Sequence, residues 1–157
     1  MKKGKIFGII LVVLAAGLIG GGVFMSLQSE KPKDDVQEKE PRKNSTKAIV
    51  DGDNTNVEES FNKQRAHNEY RLKNFRIANQ GDYYVFKVSI DNTGVDSATE
   101  RTLKVTFLAN NGDVLGNVEI LVPEIAPGAT VEIEEVSSNK DIFEAFDVKI
   151  EDVIKES

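Results

Sequence analysis

From Ile6 to Ser29 the chain carries no charged side chain, and the 22 residues from Ile6 to Leu27 are almost wholly apolar. About 20 apolar residues in helix span the hydrocarbon core of a bilayer, so this run crosses with little left over for tilt. One membrane helix over 6–27 is the expectation. Lys2, Lys3 and Lys5 make residues 1–5 a basic tail, and the positive-inside bias keeps such a tail in the cytoplasm. The expected location is the cell membrane, single-pass, with the N-terminus cytoplasmic and the C-terminal domain extracytoplasmic. The alternative is a cleaved signal peptide that leaves a secreted soluble module. Signal-peptide cores usually run about 7 to 15 residues and end at a small-x-small site. Here Gly20, Gly21 and Gly22 are followed by Val23, Phe24, Met25 and Leu27, which resume the hydrophobicity. Processing as a lipoprotein requires a cysteine, and the chain has none. Gly17 with Gly21, and Ala16 with Gly20, are small-xxx-small pairs of the kind that let two membrane helices approach. Glycine is common in such helices anyway.

The absence of cysteine also excludes a disulfide framework, a thiolate metal site and a cysteine nucleophile. Without the three anchor lysines, 17 basic residues face 26 acidic ones, a formal charge of −9 on the exported part. A surface of that sign repels phosphate backbones, and no basic stripe interleaved with aromatics overrides it, so nucleic acid is not an expected partner. A cationic partner, or simple solubility, are the readings left.

Between Gln28 and Asn56 there is no aromatic residue, few aliphatics, and dense charge around Pro32 and Pro41. Such composition does not bury enough surface to offset its ordering entropy, so a disordered polar linker is expected over 28–66. Val57 and Phe61 are four apart among Glu58, Glu59, Lys63 and Arg65, which suggests a short amphipathic helix near 57–66.

After Tyr70 the apolar period changes to two, with turn residues at intervals of about 10, the pattern of an all-β sandwich. Strands are expected at Tyr70–Ala78, Tyr83–Asp91, Arg101–Ala109, Val114–Val122, Thr130–Val136 and Ala145–Val153. Tyr84, Phe86, Val88 and Ile90 share one face of the second, and Leu103, Val105, Phe107 and Ala109 one face of the third. Asn110-Asn-Gly-Asp113 is expected as a tight hairpin, because Asn-Gly supplies positive backbone angles. The fold class is therefore a single immunoglobulin-like antiparallel sandwich of six to seven strands over residues 67–157, sized for one core.

Within that pattern, Phe143-Glu-Ala-Phe-Asp147 resembles the signature of the FxLYD domain, an extracytoplasmic β-sandwich module of bacterial envelope proteins, with Ala145 for Leu and Phe146 for Tyr. Val88-Ser-Ile-Asp-Asn-Thr-Gly94, the Asn111-Gly112 turn after Phe107, and Ile125-Ala-Pro-Gly128 agree in order and spacing. The resemblance implies a membrane-tethered module without established chemistry, and it supplies no functional residue. Phe143 and Phe146 read as core aromatics.

Catalytic constellations are missing from the sequence. The sole histidine, His67, lies in polar Arg65-Ala-His-Asn68 and reads as a solvated side chain. Asp51-Gly-Asp53-Asn-Thr-Asn56 opens like a calcium loop, but Asn56 stands where glycine is needed and Asn62 where a bidentate glutamate should close it. Glu132 and Glu134 share the polar side of a strand, without an aromatic sugar platform to suggest glycoside hydrolysis. Asn44-Ser-Thr46 is a glycosylation sequon of little meaning in a bacterial setting.

Tyr83, Val85, Leu108 and Leu121 are apolar residues on the sides of their strands opposite the expected core. Apolar side chains on a wet face mark either a partner surface or hidden internal packing, the latter under the Val57–Tyr70 segment through Phe61 or within a central strand buried on both faces. The function expected is thus a non-enzymatic envelope module for protein–protein recognition or scaffolding, using no cofactor, metal or small-molecule substrate. The alternative is a binder of wall polymer or another cationic component.

Overall fold

The computed structural model describes residues 38–154. The expected basic tail, the membrane helix over 6–27 and the first part of the linker lie outside the described residues. Among the described residues, no helix is long and apolar enough to cross a membrane.

The fold is all-β, with two antiparallel sheets sharing one core in the manner of a β-sandwich. The strands are β1 (Lys47–Val50), β2 (Asp53–Asn56), β3 (Arg65–His67), β4 (Tyr70–Asn79), β5 (Tyr84–Asn92), β6 (Arg101–Leu108), β7 (Val114–Val122), β8 (Thr130–Ser137) and β9 (Asp147–Asp152). A six-stranded sheet runs β1-β2-β4-β5-β8, with β3 also paired to β4, and a three-stranded sheet runs β7-β6-β9. The six strands expected from the period of two appear as β4 to β9, each within two residues of its expected ends. Their alternation holds as well: Phe86, Val88 and Ile90 of β5 are buried against Leu103, Val105 and Phe107 of β6.

Four phenylalanines tie the sheets together. The Phe86 and Phe107 rings meet edge-on at 5.1 Å, Phe75 lies 6.3 Å from Phe86, and Phe61 closes the ring at 5.9 Å from Phe75 and 6.4 Å from Phe107. Each is essentially inaccessible to water. Truncating a phenylalanine in such a place costs about 3–5 kcal/mol.

Phe61 belongs to the segment expected as a linker over 28–66, and that expectation is corrected from Lys39 onward. Asp113 accepts from Lys39 Nζ at 2.8 Å and from Arg42 Nε at 3.0 Å, while the Ser45 amide donates to Glu144 at 2.7 Å. The chain then enters the large sheet as the β1–β2 hairpin, so the folded part begins well before residue 67. Asp51 and Gly52 both have positive φ, 52° and 90°, as the two-residue hairpin turn requires. The sequence that opens like a calcium loop is that turn. Asn56, buried, donates to the carbonyls of Phe143 and Ala145 at 3.0 and 2.9 Å. These polar residues order because an existing sheet satisfies their backbone and side chains, a gain that composition alone does not register. The expected helix near 57–66 is a single turn, with the Asn62 amide donating to the Glu58 carbonyl at 3.1 Å, and its function is to deliver Phe61 to the core.

Two local expectations also differ. In the β6–β7 hairpin only Gly112 takes positive φ (83°), and the Ala109 amide donates to the Asp113 carbonyl, giving a three-residue loop instead of a two-residue turn. The last expected strand starts two residues later than expected, at Asp147, and is preceded by a 3₁₀ helix, Lys140–Glu144, whose Asn139 cap accepts from the Asp141 amide.

Candidate functional site: the outer face of the large sheet

On β4, Lys73 pairs with Ser89 and Arg76 with Lys87, so one extra β4 residue is accommodated between them. Asn74 there adopts φ 55°, and Phe75 turns into the core. A bulge of this kind bends its strand and raises the local twist. Beside it, on the side away from the core, a shallow groove crosses β4, β5 and β8. One end, of about 480 Å³, is lined by Asn74, Ser89 and Glu132; the other, of about 410 Å³, by Ala78, Tyr83, Val85 and Val136; both include Arg76, Lys87 and Glu134.

Strand register sets the groove floor in rows. Ala78 pairs with Val85 and Val85 with Val136, and Thr55 continues this row onto β2. Although it points away from the core, Val85 is only 6% exposed and Ala78 only 2%. At this end of the groove Val136 is 60% and Tyr83 43% exposed. The next row is charged. Lys87 pairs with Glu134 at 2.9 Å, and Arg76 reaches Asp51 at 2.9 Å and the Val50 carbonyl at 2.7 Å. The aliphatic stems of these long side chains flank the apolar row; the Lys87 head stays wet, whereas Arg76 is largely covered and its Nε is buried without a hydrogen-bond partner.

Beyond Ser89, whose hydroxyl accepts from Asn74, lies a tighter cluster. Asp91 is buried and accepts from Lys73 at 2.9 Å, Thr130 at 2.6 Å, and Arg71 at 3.0 and 2.9 Å. The Lys73 ammonium, with Thr130 and Arg71, holds the Asp91 carboxyl down to about 2. Every polar neighbour is satisfied, so this end is a structural clamp across β4, β5 and β8.

The four apolar residues singled out in sequence do not converge. Tyr83 and Val85 face this groove. Leu121 and Leu108 lie on the outer face of the other sheet, on either side of the sandwich from the first pair, and at opposite ends of that face: Leu121 pairs with Thr102, Leu108 with Val114 and Asp147. Leu121 is 54% exposed; Leu108 is half-buried and borders a recess with Ser60 and Phe146. A single surface made of all four is therefore corrected to one pair on each face, with Val85 as floor rather than exposed contact. Phe61 does not cover either pair, because it enters the core. Missed in sequence were Val136 and Ala78. Val136 carried the same signal as Val85, an apolar residue on the side of its strand otherwise occupied by Glu132 and Glu134.

His67 is half-buried rather than solvated, with Nε2 3.2 Å from Asp152, which also accepts from Asn68 at 3.0 Å. Among the described residues, no three histidine or carboxylate side chains are placed to share a metal ion. Compared with known proteins, the chain matches no family model, no curated protein and no solved structure.

Proposed function

We propose that this protein is a non-enzymatic module of the bacterial envelope, anchored by residues 6–27 and displaying an acidic, immunoglobulin-like sandwich outside the cytosol, where the groove of the large sheet recognises a partner protein. The observation that carries the reading is the apolar row through Ala78, Val85 and Val136 on an outward face, with Val136 and the neighbouring Tyr83 well exposed. An apolar strip rimmed by charges is the usual make-up of a recognition patch. Kinship with FxLYD domains belongs to this proposal and is supported by the order of four short motifs. Phe143, in the name-giving motif, is buried with its ring 5.3 Å from that of Tyr84, and Asp147 pairs with Arg65 at 2.6 Å.

A second reading, capture of wall polymer or another cationic component, is favoured by the formal charge of −9 and by Glu132 and Glu134 on the groove's edge. Salt separates the two, since exposed charges are screened beyond about 8 Å at physiological ionic strength. Full-length protein carrying Val136→Asp or Tyr83→Ser should retain its melting temperature and lose envelope-protein capture at both low and high salt. Leu121→Asp should lose nothing. Capture that disappears with salt alone supports the polymer reading, and capture lost only in Leu121→Asp rules out the groove.

A further inference from the structure

β8 is the last strand of the large sheet. It pairs with β5 along Thr130–Ser137, and among the described residues no strand joins its other side. In an antiparallel edge strand about half the residues turn both N–H and C=O to the open side. Among the described residues, no backbone group from a turn or loop bonds to the main chain of Thr130–Ser137, although the Asn139 amide donates to the Ser137 hydroxyl at 3.1 Å. The other edges are shorter or straddled. β1 and β3 have four and three residues. Near its start β7 lies under Asn139, which donates to the Leu115 carbonyl, and both ends of β9 are bridged to β3, Asp147 by Arg65 and Asp152 by His67.

From Val131 to Glu134 the side chains of β8 alternate in chemistry; beyond, Glu135 stands on the core side and Val136 on the outer side. Glu132 and Glu134 are exposed on the outer side; Val131 and Ile133 pack at the margin of the core and remain partly uncovered. A second copy of β8 added in antiparallel fashion would set glutamates against glutamates, and like charges directly opposite each other are destabilising. A strand with lysine or arginine at the outward positions and valine or isoleucine at the inward ones meets both requirements: cations oppose Glu132 and Glu134, and aliphatics extend the core margin at Val131 and Ile133.

We infer that β8 is a strand-addition site for an extended partner segment that alternates basic and aliphatic residues. Main-chain bonds to the open edge supply affinity, and the alternating side chains supply register and selectivity. The inference goes beyond recognition by the groove, because it requires the free edge and not the Val85 floor.

The probe is a fluorescent hexapeptide alternating lysine with valine or isoleucine, titrated onto the full-length protein in detergent micelles. Three controls accompany it: the same composition with the lysines blocked together, the alternating peptide with alternate amides methylated, and a glutamate-for-lysine version. The alternating basic peptide should bind, slow hydrogen exchange along Thr130–Ser137, and lose about tenfold or more in affinity in each control, as strand addition demands. Glu132→Lys with Glu134→Lys, checked by thermal melting, should reverse the preference in favour of the acidic peptide. Tyr83→Ser should leave binding unchanged. Equal binding of the methylated or blocked peptide, binding abolished by Tyr83→Ser but not by the charge reversal, or no binding at all, each overturns the inference. The first and last of these leave recognition by the groove standing, and the second relocates the peptide to it.

Discussion

On the outer face of the large sheet Thr55, Ala78, Val85, Ser89 and Asp91 are all buried, whereas on the outer face of the small sheet only Thr106 is. Strand count explains the contrast. In the large sheet β2, β4 and β5 have neighbours on both sides, whose long side chains lean over the small residues between them. In the small sheet β6 alone is flanked on both sides, and Thr106 is its shielded residue. The edges β7 and β9 leave Leu121, Glu119 and Lys149 in water. A wide, bulged sheet therefore holds an apolar floor within a charged frame without a covering layer, and a narrow one does not.

The largest expected difference between the faces concerns charge. Asp91→Ala strands Arg71, Lys73 and Thr130 without their shared acceptor and should cost about 2–3 kcal/mol by chemical denaturation. Glu151→Ala, which breaks the exposed Lys149 pair on the small sheet, should leave the denaturation midpoint essentially unchanged. Equal costs would erase the distinction. Apolar truncation should follow the same order with a smaller gap. Val85→Ala should destabilise by about 1–2 kcal/mol, and Leu121→Ala by less than about 0.5 kcal/mol.

The smallest effect is an acid one. Asp91, held down to about 2, has a folded pKa below its unfolded one. Its contribution is complete above the ordinary carboxylate range and is lost as pH falls from about 4 towards 2. Asp113 is likewise held down to about 2, by Lys39 and Arg42, but lies at the surface. Acid titration of stability should therefore lose part of its slope between about pH 4 and 2 in Asp91→Asn. The corresponding loss in Asp113→Asn should fade in high salt, because that pair is exposed.

Much of this architecture was legible in the sequence. The period of two located β4 to β9, because a half-buried strand must alternate whatever its neighbours are. The β1–β2 hairpin was not found, since Lys47–Val50 and Asp53–Asn56 contribute almost nothing to the core and are ordered by joining a sheet. One signal was available: Asp51-Gly52 between short β-compatible runs is a strong hairpin marker. Phe61 was correctly marked as apolar but assigned to a helix face, because four-residue spacing to Val57 fits a helix and also fits one turn that plants a side chain in the core. For the candidate site, alternation identified which side of each strand was outward for Tyr83, Val85, Leu108 and Leu121. Which of two outward faces each occupied depends on strand order, a long-range property that alternation does not encode.

If a partner sits on the large sheet's outer face, as proposed, a reactive group placed there should capture it. The most direct test is site-specific photocrosslinking in intact cells, with the photoreactive residue placed in the full-length protein at Val136 in one experiment and at Glu119 on the small sheet in the other. A discrete adduct is expected from position 136, diminished by Tyr83→Ser, and none from position 119. An adduct from position 119 with position 136 silent would contradict the proposed placement.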